Sequence, residues 1–353
     1  MVALLVIAAA AAGYLVGREQ EPGSGEHPAE TRIARPAPRP AAPAAPAEPP
    51  RKEPAASAPQ PAEPPAEPRQ TAKTPPAAEP VPEASGKPAP AKPGATLAWQ
   101  KNAVPVRDPG GRPMIAIVLD DVGVNRAQAR KAIELRGPLT LSFMTYAEDL
   151  PKLTAAARAA GHELMLHMPM EPSEKRVPPG PEALMVGLDT AELNRRILWG
   201  LNRFEGFVGV NNHMGSRFTR DERGMAAVMG QLKAHGLLFL DSLTTPDSVG
   251  IAAAARFGVP HVGRDVFLDH VQDRDAIRAS LARLEARARS KGHAVGIGHP
   301  HEETLDVLRG WLGSLEARGF ALVPVSTIVR RLRDMPAEPG RQAAAGQKPA
   351  ILR

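Results

Sequence analysis

From residue 114 onward one unit recurs: a short apolar run, a polar turn, an amphipathic segment, and usually a glycine before the next apolar run. The runs at 114–119, 139–144, 163–168, 207–210, 237–240, 262–267, 294–297 and 321–325 read as strands. Several lack alternation, as strands covered on both faces do. Between them, 126–136, 150–160, 191–204, 223–235, 276–290 and 304–318 carry the spacing of amphipathic helices. Gly137, Gly161, Gly236, Gly292 and Gly319 follow such segments, where a residue tolerating the left-handed conformation closes a helix. Regular alternation of strand and helix predicts an α/β fold with a parallel sheet, and about eight units predict an irregular (β/α) barrel. An open doubly wound sheet is the other arrangement. No glycine-rich phosphate fingerprint follows the first strand, because Val122-Gly123-Val124 holds one glycine.

The N-terminal third breaks this pattern. Of 353 residues, 39 are proline, and they crowd between residue 19 and about 112 beside Ala, Glu, Lys and Arg. Such a stretch buries too little apolar surface to offset the entropy of ordering it. The expected organisation is therefore an anchor or signal segment at 1–17, a disordered linker at 18–112, the folded domain at 113–334 and a disordered tail at 335–353. The run from Met1 to Val16 is shorter than the ~20 residues of a membrane span but suits an uncleaved anchor or a signal core. Either exports the domain, so an extracytoplasmic, periplasmic location tethered to the inner membrane is expected. Roughly ninety residues of extended Pro-rich chain at ~3.1 Å each reach well over 100 Å, enough to work within a cell envelope away from the anchor.

The net charge of +6 changes this picture little, because basic residues alternate with acids on helix faces and no aromatic-interleaved basic strip occurs. No nucleic-acid partner is expected. Cysteine is absent, which excludes disulfides, thiolate metal sites and cysteine nucleophiles.

Polar residues collect where strands end: Asp120-Asp121, His167, Asn211-Asn212-His213, Asp241-Ser242 and His299-Pro300-His301. In a parallel barrel all these ends share one rim, so residues distant in sequence converge there. Paired carboxylates after a buried strand cost free energy unless a positive charge sits beside them. One Asp and two His would hold a divalent metal and leave a position open. Side chains alternate along a strand, so Asp120 and Asp121 are expected to do different jobs, one binding metal and one acting as a base. Each feature also has a plainer account. An Asp pair caps helices, a lone His packs in cores, and His299 or His301 would cap the last long helix. Five coincidences at successive strand ends favour a site. His162, His235, His261, His270 and His293 are read as structural, and Met144, Met165, Met168 and Met170 as packing.

The succession LDD, HMPMEP, NNHMGS, DS and GHPH resembles the divergent polysaccharide deacetylase family, across about 114–333. The resemblance implies a deacetylase-type irregular barrel, an envelope glycan substrate and a divalent metal such as Zn²⁺. Residue by residue, it implies Asp120 as base, Asp121 and His167 as metal ligands, and His299 as acid. In the broader deacetylase family the second metal His follows the first in the same loop; here Met168, Pro169, Met170 and Glu171 follow His167, so His213 is taken as the ligand. The arginine-proline motif of the fourth strand is missing, with Arg217 close by. Asp241 is expected to fix the tautomer of His299. Asn211, Asn212 and Arg217 are expected to bind substrate, as is His301, which is also the alternative acid. The function implied is metal-dependent removal of N-acetyl groups from an envelope polysaccharide. The alternative is a non-catalytic envelope protein binding glycan or a partner on the same barrel. A phosphodiesterase is disfavoured because the rim motifs are poor in Arg, Lys and Gly-rich loops.

Overall fold

A computed structural model describes residues 97–334. The anchor or signal segment at 1–17, the linker up to residue 96 and the tail from 335 lie outside the described residues. Among those described, no helix is long and apolar enough to cross a membrane.

The domain begins earlier than its composition suggests. Residues 97–112, assigned above to the disordered linker, are ordered and include α1 (Ala98–Lys101), whose Trp99 is buried. The order then runs β1 (Met114–Val122), α2 (Arg126–Ile133), β2 (Thr140–Met144), α3 (Leu150–Ala159), β3 (Glu163–Met170), α4 (Thr190–Leu201) and β4 (Gly209–Met214). It continues through α5 (Glu222–Ala234), β5 (Leu238–Asp241), α6 (Gly250–Phe257), β6 (His261–Gly263), β7 (Val266–Phe267) and α7 (Arg274–Lys291). β8 (His293–Gly298), α8 (Glu302–Ser314), β9 (Ala321–Leu322) and α9 (Val325–Asp334) complete it.

The strands form one parallel sheet in the order β6-β5-β4-β3-β2-β1-β8-β7, with β9 also beside β1. β6 and β7 are thus the two edges, and the barrel is curled rather than closed by a continuous ladder. The single strand expected at 262–267 is two strands, with Arg264 and Asp265 crossing the seam. Arg264 N donates to the Asp241 carbonyl on β5, and Asp265 N to the Val295 carbonyl on β8.

Strand parity divides the core into two layers. Met114, Ala116, Val118, Met165, Leu238, Leu240, Val295 and Ile297 point into the barrel, where they pack with α9. Ile115, Ile117, Leu119, Leu164, Leu166, Phe239 and Ala294 point outward beneath the helices. Both faces are apolar, as covered strands require.

α1 and α9 close the end where strands begin. Trp99 N donates to Gly236 O ahead of β5, and Asn102 Nδ2 to Phe207 O ahead of β4. Val325 N donates to Thr140 Oγ1 and Ser326 N to Glu163 Oε1, at the first residues of β2 and β3. The strand expected at 321–325 is therefore cut to two residues, and Val325 opens a helix.

Of the five punctuating glycines, Gly161, Gly236, Gly292 and Gly319 have positive φ, as their position requires. Gly137 does not; it precedes a cis peptide bond to Pro138.

Candidate metal centre

The opposite end of the barrel, where strands finish, gathers Asp120, Asp121, His167, His213 and His299 around one cavity of 420 Å³. Parity explains most of this: Asp120 continues the inward series of Met114, Ala116 and Val118; His167 follows Met165, and His299 follows Ile297.

Asp121 breaks the alternation. Its φ is 56°, in the left-handed region, and the β1–β2 register shifts between Leu119 and Val122. Asp is among the few side chains that tolerate this conformation. The irregularity turns the second carboxylate to the same side as the first: His167 Nε2 lies 3.7 Å from Asp120 Oδ2 and 3.3 Å from Asp121 Oδ1. The expectation that the two face opposite sides is thus incorrect. Environment separates them instead. Asp120 is almost fully buried, while the Asp121 side chain is 31% exposed.

Asp121 Oδ1, His167 Nε2 and His213 Nδ1 form a group whose ligand atoms all lie within 4.8 Å of one another. Asp121 Oδ1 is 2.8 Å from His213 Nδ1, yet this buried oxygen has no aligned hydrogen bond. An orphaned carboxylate oxygen facing two imidazole nitrogens is the arrangement a cation completes, and two His with one Asp suit a divalent metal. The donor set therefore fits. Partial exposure of Asp121 and His213 leaves one side of the cluster open.

Asn211 fixes the cluster from behind. Its Oδ1 lies 2.8 Å from His167 Nδ1 and accepts from Ser142 Oγ at 2.5 Å; its Nδ2 donates to Asp120 Oδ1 at 2.7 Å and to Ser242 Oγ at 3.1 Å. An amide oxygen only accepts, so His167 Nδ1 carries the hydrogen and Nε2 faces Asp121.

The electrostatics are strongly coupled. Burial opposes charge on Asp121, but the contacts with His167 and His213 outweigh it and hold the carboxyl well below the usual range. Burial dominates at Asp120 and raises its pKa against the pull of His167, His299 and Asn211. For His299 burial disfavours the charged form, yet the hydrogen bond and charge of Asp269, with Asp120 and Asp121 beyond, raise it to about 9.

Asp269 is the partner that the sequence reading missed. Its Oδ1 lies 3.1 Å from His299 Nδ1, and its Oδ2 accepts from His299 N and Thr304 Oγ1. Asp241 does not reach His299. It shares the outward parity of Phe239 and accepts from Ser248 Oγ and Leu243 N.

The structure divides the expected substrate-binding residues. Asn211 is fully buried and all its hydrogen-bonding capacity is used, as described. Asn212 does line the cavity; its Oδ1 accepts from Ser242 N and one Nδ2 hydrogen goes to Met214 O. Arg217 pairs with Glu171 at 2.6 Å and lies outside the cavity lining. His301 sits at the N-cap of α8, with Nε2 3.1 Å from Gln272 Nε2, and does not line the cavity either. Conversely His270, read as structural, does line it.

The same residues carry a family signature, since 117–329 match the family described as divergent polysaccharide deacetylase. The chain belongs to that family. Among relatives of this deacetylase-family protein is the uncharacterized protein YibQ of Escherichia coli K12, 32% identical over 61% of this chain and 67% of the relative. An uncharacterized Haemophilus influenzae protein is 30% identical, over 64% of this chain and 80% of its own. The crystal structure of the uncharacterized Agrobacterium tumefaciens protein ATU2773 superimposes with a TM-score of 0.64 at 28% identity, covering 66% of this chain and 95% of that one. The deacetylase-type curled barrel expected from the motifs is thus the fold observed.

Proposed function

We propose that this family member is a metal-dependent hydrolase that removes N-acetyl groups from a cell-envelope polysaccharide, working outside the cytoplasm from an inner-membrane tether. The observation carrying this reading is the convergence on one cavity of a three-donor cluster, the buried carboxylate of Asp120 and the imidazole of His299.

Asp121, His167 and His213 would hold the cation, for which Zn²⁺ is the natural choice given two imidazoles and one carboxylate. When bound, the metal supplies Lewis-acid polarisation of the amide carbonyl and acidifies water. Asp120, anchored through Oδ1 by Asn211, takes the proton of the attacking water on its remaining oxygen. His299 donates its Nδ1 hydrogen to Asp269, and its pKa, raised to about 9, keeps a second proton on Nε2 for delivery to the departing amine nitrogen. Nε2 lies 4.0 Å from Asp121 Oδ2, on the cavity side of the ring.

The test uses the zinc-loaded full chain and Asp120→Asn. Acetate release from N-acetylated envelope glycans should fall by about 10²–10⁴-fold in the variant, with metal content unchanged by elemental analysis. Metal bound at full stoichiometry but no acetate from any such glycan with the wild type would remove the hydrolase assignment.

A further inference from the structure

Arg264 sits where the sheet is open, on the two-residue crossing from β6 to β7, and it lines the cavity of the metal centre. It is the only Lys or Arg among the described residues that does so. Its side chain is fixed on one edge: Nε donates to Ser242 O and Nη2 to Leu243 O, each at 2.7 Å. Its guanidinium carbon lies 5.0 Å from the centroid of the Phe267 ring. A guanidinium has five N–H donors in a planar fork. Those two bonds use the Nε side, leaving the paired Nη1 and Nη2 hydrogens of the end edge without a protein acceptor among the described residues. Nη1 is also not sealed from solvent.

Its charged neighbours do not satisfy that edge. Asp120 and Asp241 act on it through space. Asp241 is hydrogen-bonded to Leu243 N and Ser248 Oγ, and Asp120 to Asn211. An arginine that only braced the seam would need no free end edge.

We infer that Arg264 is a specificity residue that receives a carboxylate of the glycan, so that the preferred substrate is an N-acetylated sugar polymer bearing an acidic substituent beside the acetamide. The identity of the polymer rests on the hydrolase reading above; the anion preference does not. The two parallel N–H groups match the two oxygens of a carboxylate, the geometry in which arginine discriminates most strongly.

The experiment compares one N-acetylated oligosaccharide as its free carboxylate and as its methyl ester, binding to the zinc-loaded full chain by calorimetry, with acetate release followed in parallel. The acid should bind roughly tenfold or more tightly. Arg264→Met should bring the ratio to about one, and Arg264→Lys, which keeps charge but loses the fork, should fall between. Should Arg264→Met not fold, the wild-type ratio and Arg264→Lys still decide. Equal affinity of the wild type for both forms, or binding of neither, overturns the inference. So does a preference that persists in Arg264→Met, since the carboxylate would then be sitting on the cation. Acetate released equally from both forms keeps the hydrolase and removes the anion site; an acid preference without acetate release does the reverse.

Discussion

Asn211 and Asp269 are buried groups that hold the proposed ligand, base and acid in place. Asn211 holds His167 by Nδ1 and Asp120 by Oδ1, so Asn211→Leu should weaken zinc affinity by roughly 10–100-fold, read by competition with a chelator. Fluorescence should still report a folded domain. Asp269 and Asp241 are both buried acids after strands, yet only Asp269 touches His299. Asp269→Asn should therefore lower acetate release far more than Asp241→Asn; equal losses would refute the assignment. The five cavity residues were legible because each interrupts an apolar strand at its end. Asp269 was not, because it lies two residues beyond the strand end at Phe267, in the turn that follows the apolar run. Asp241 misled because Phe239 and Leu240 are both apolar, so nothing in the sequence reveals which parity faces inward.

At the level of elements, periodicity located nearly all strands and the longer helices, with ends shifted by a few residues. Failures have specific causes. The sequence of α6, GIAAAARF, offers almost no polar face to read. α9 was hidden because Val325, Ile328 and Val329 continue the apolar run that precedes them. Close approach between neighbouring strands is another property invisible to periodicity. Gly209 pairs with Leu238, and a Cβ at Gly209 would overlap the Leu238 carbonyl oxygen and side chain. Gly209→Ala should therefore destabilise the domain by about 1–3 kcal/mol, measured as a lower urea midpoint. An unchanged midpoint would mean that β4 and β5 separate more easily than their pairing implies.

For the whole molecule, stability should carry a signature of His162. This ring is fully buried, with Nδ1 accepting from Leu139 N at 3.2 Å and Nε2 donating to Ile133 O at 2.9 Å. Burial lowers its pKa from the ordinary 6.5, against the hydrogen bonds to Ile133 and Leu135. The unfolded chain thus takes up a proton near pH 6.5 while the native state still resists it. The stability this contributes is complete above that pH and is lost as pH falls through the lower native pKa, with a slope of at most about 1.4 kcal/mol per pH unit. Urea unfolding from pH 7.5 downward should show the loss in the wild type and a flatter profile in His162→Gln. Composition marked the domain boundary too late, because Trp99 is a lone aromatic within a polar context and its partners are all distant. That aromatic also fixes an orientation. Chain arriving at Leu97 joins the barrel at the pole where strands start, while Asp121 and the imidazoles look out from the other pole. The described chain therefore enters its domain at the pole away from the candidate metal ligands, and residues added ahead of Leu97 join it there and not at the cavity mouth.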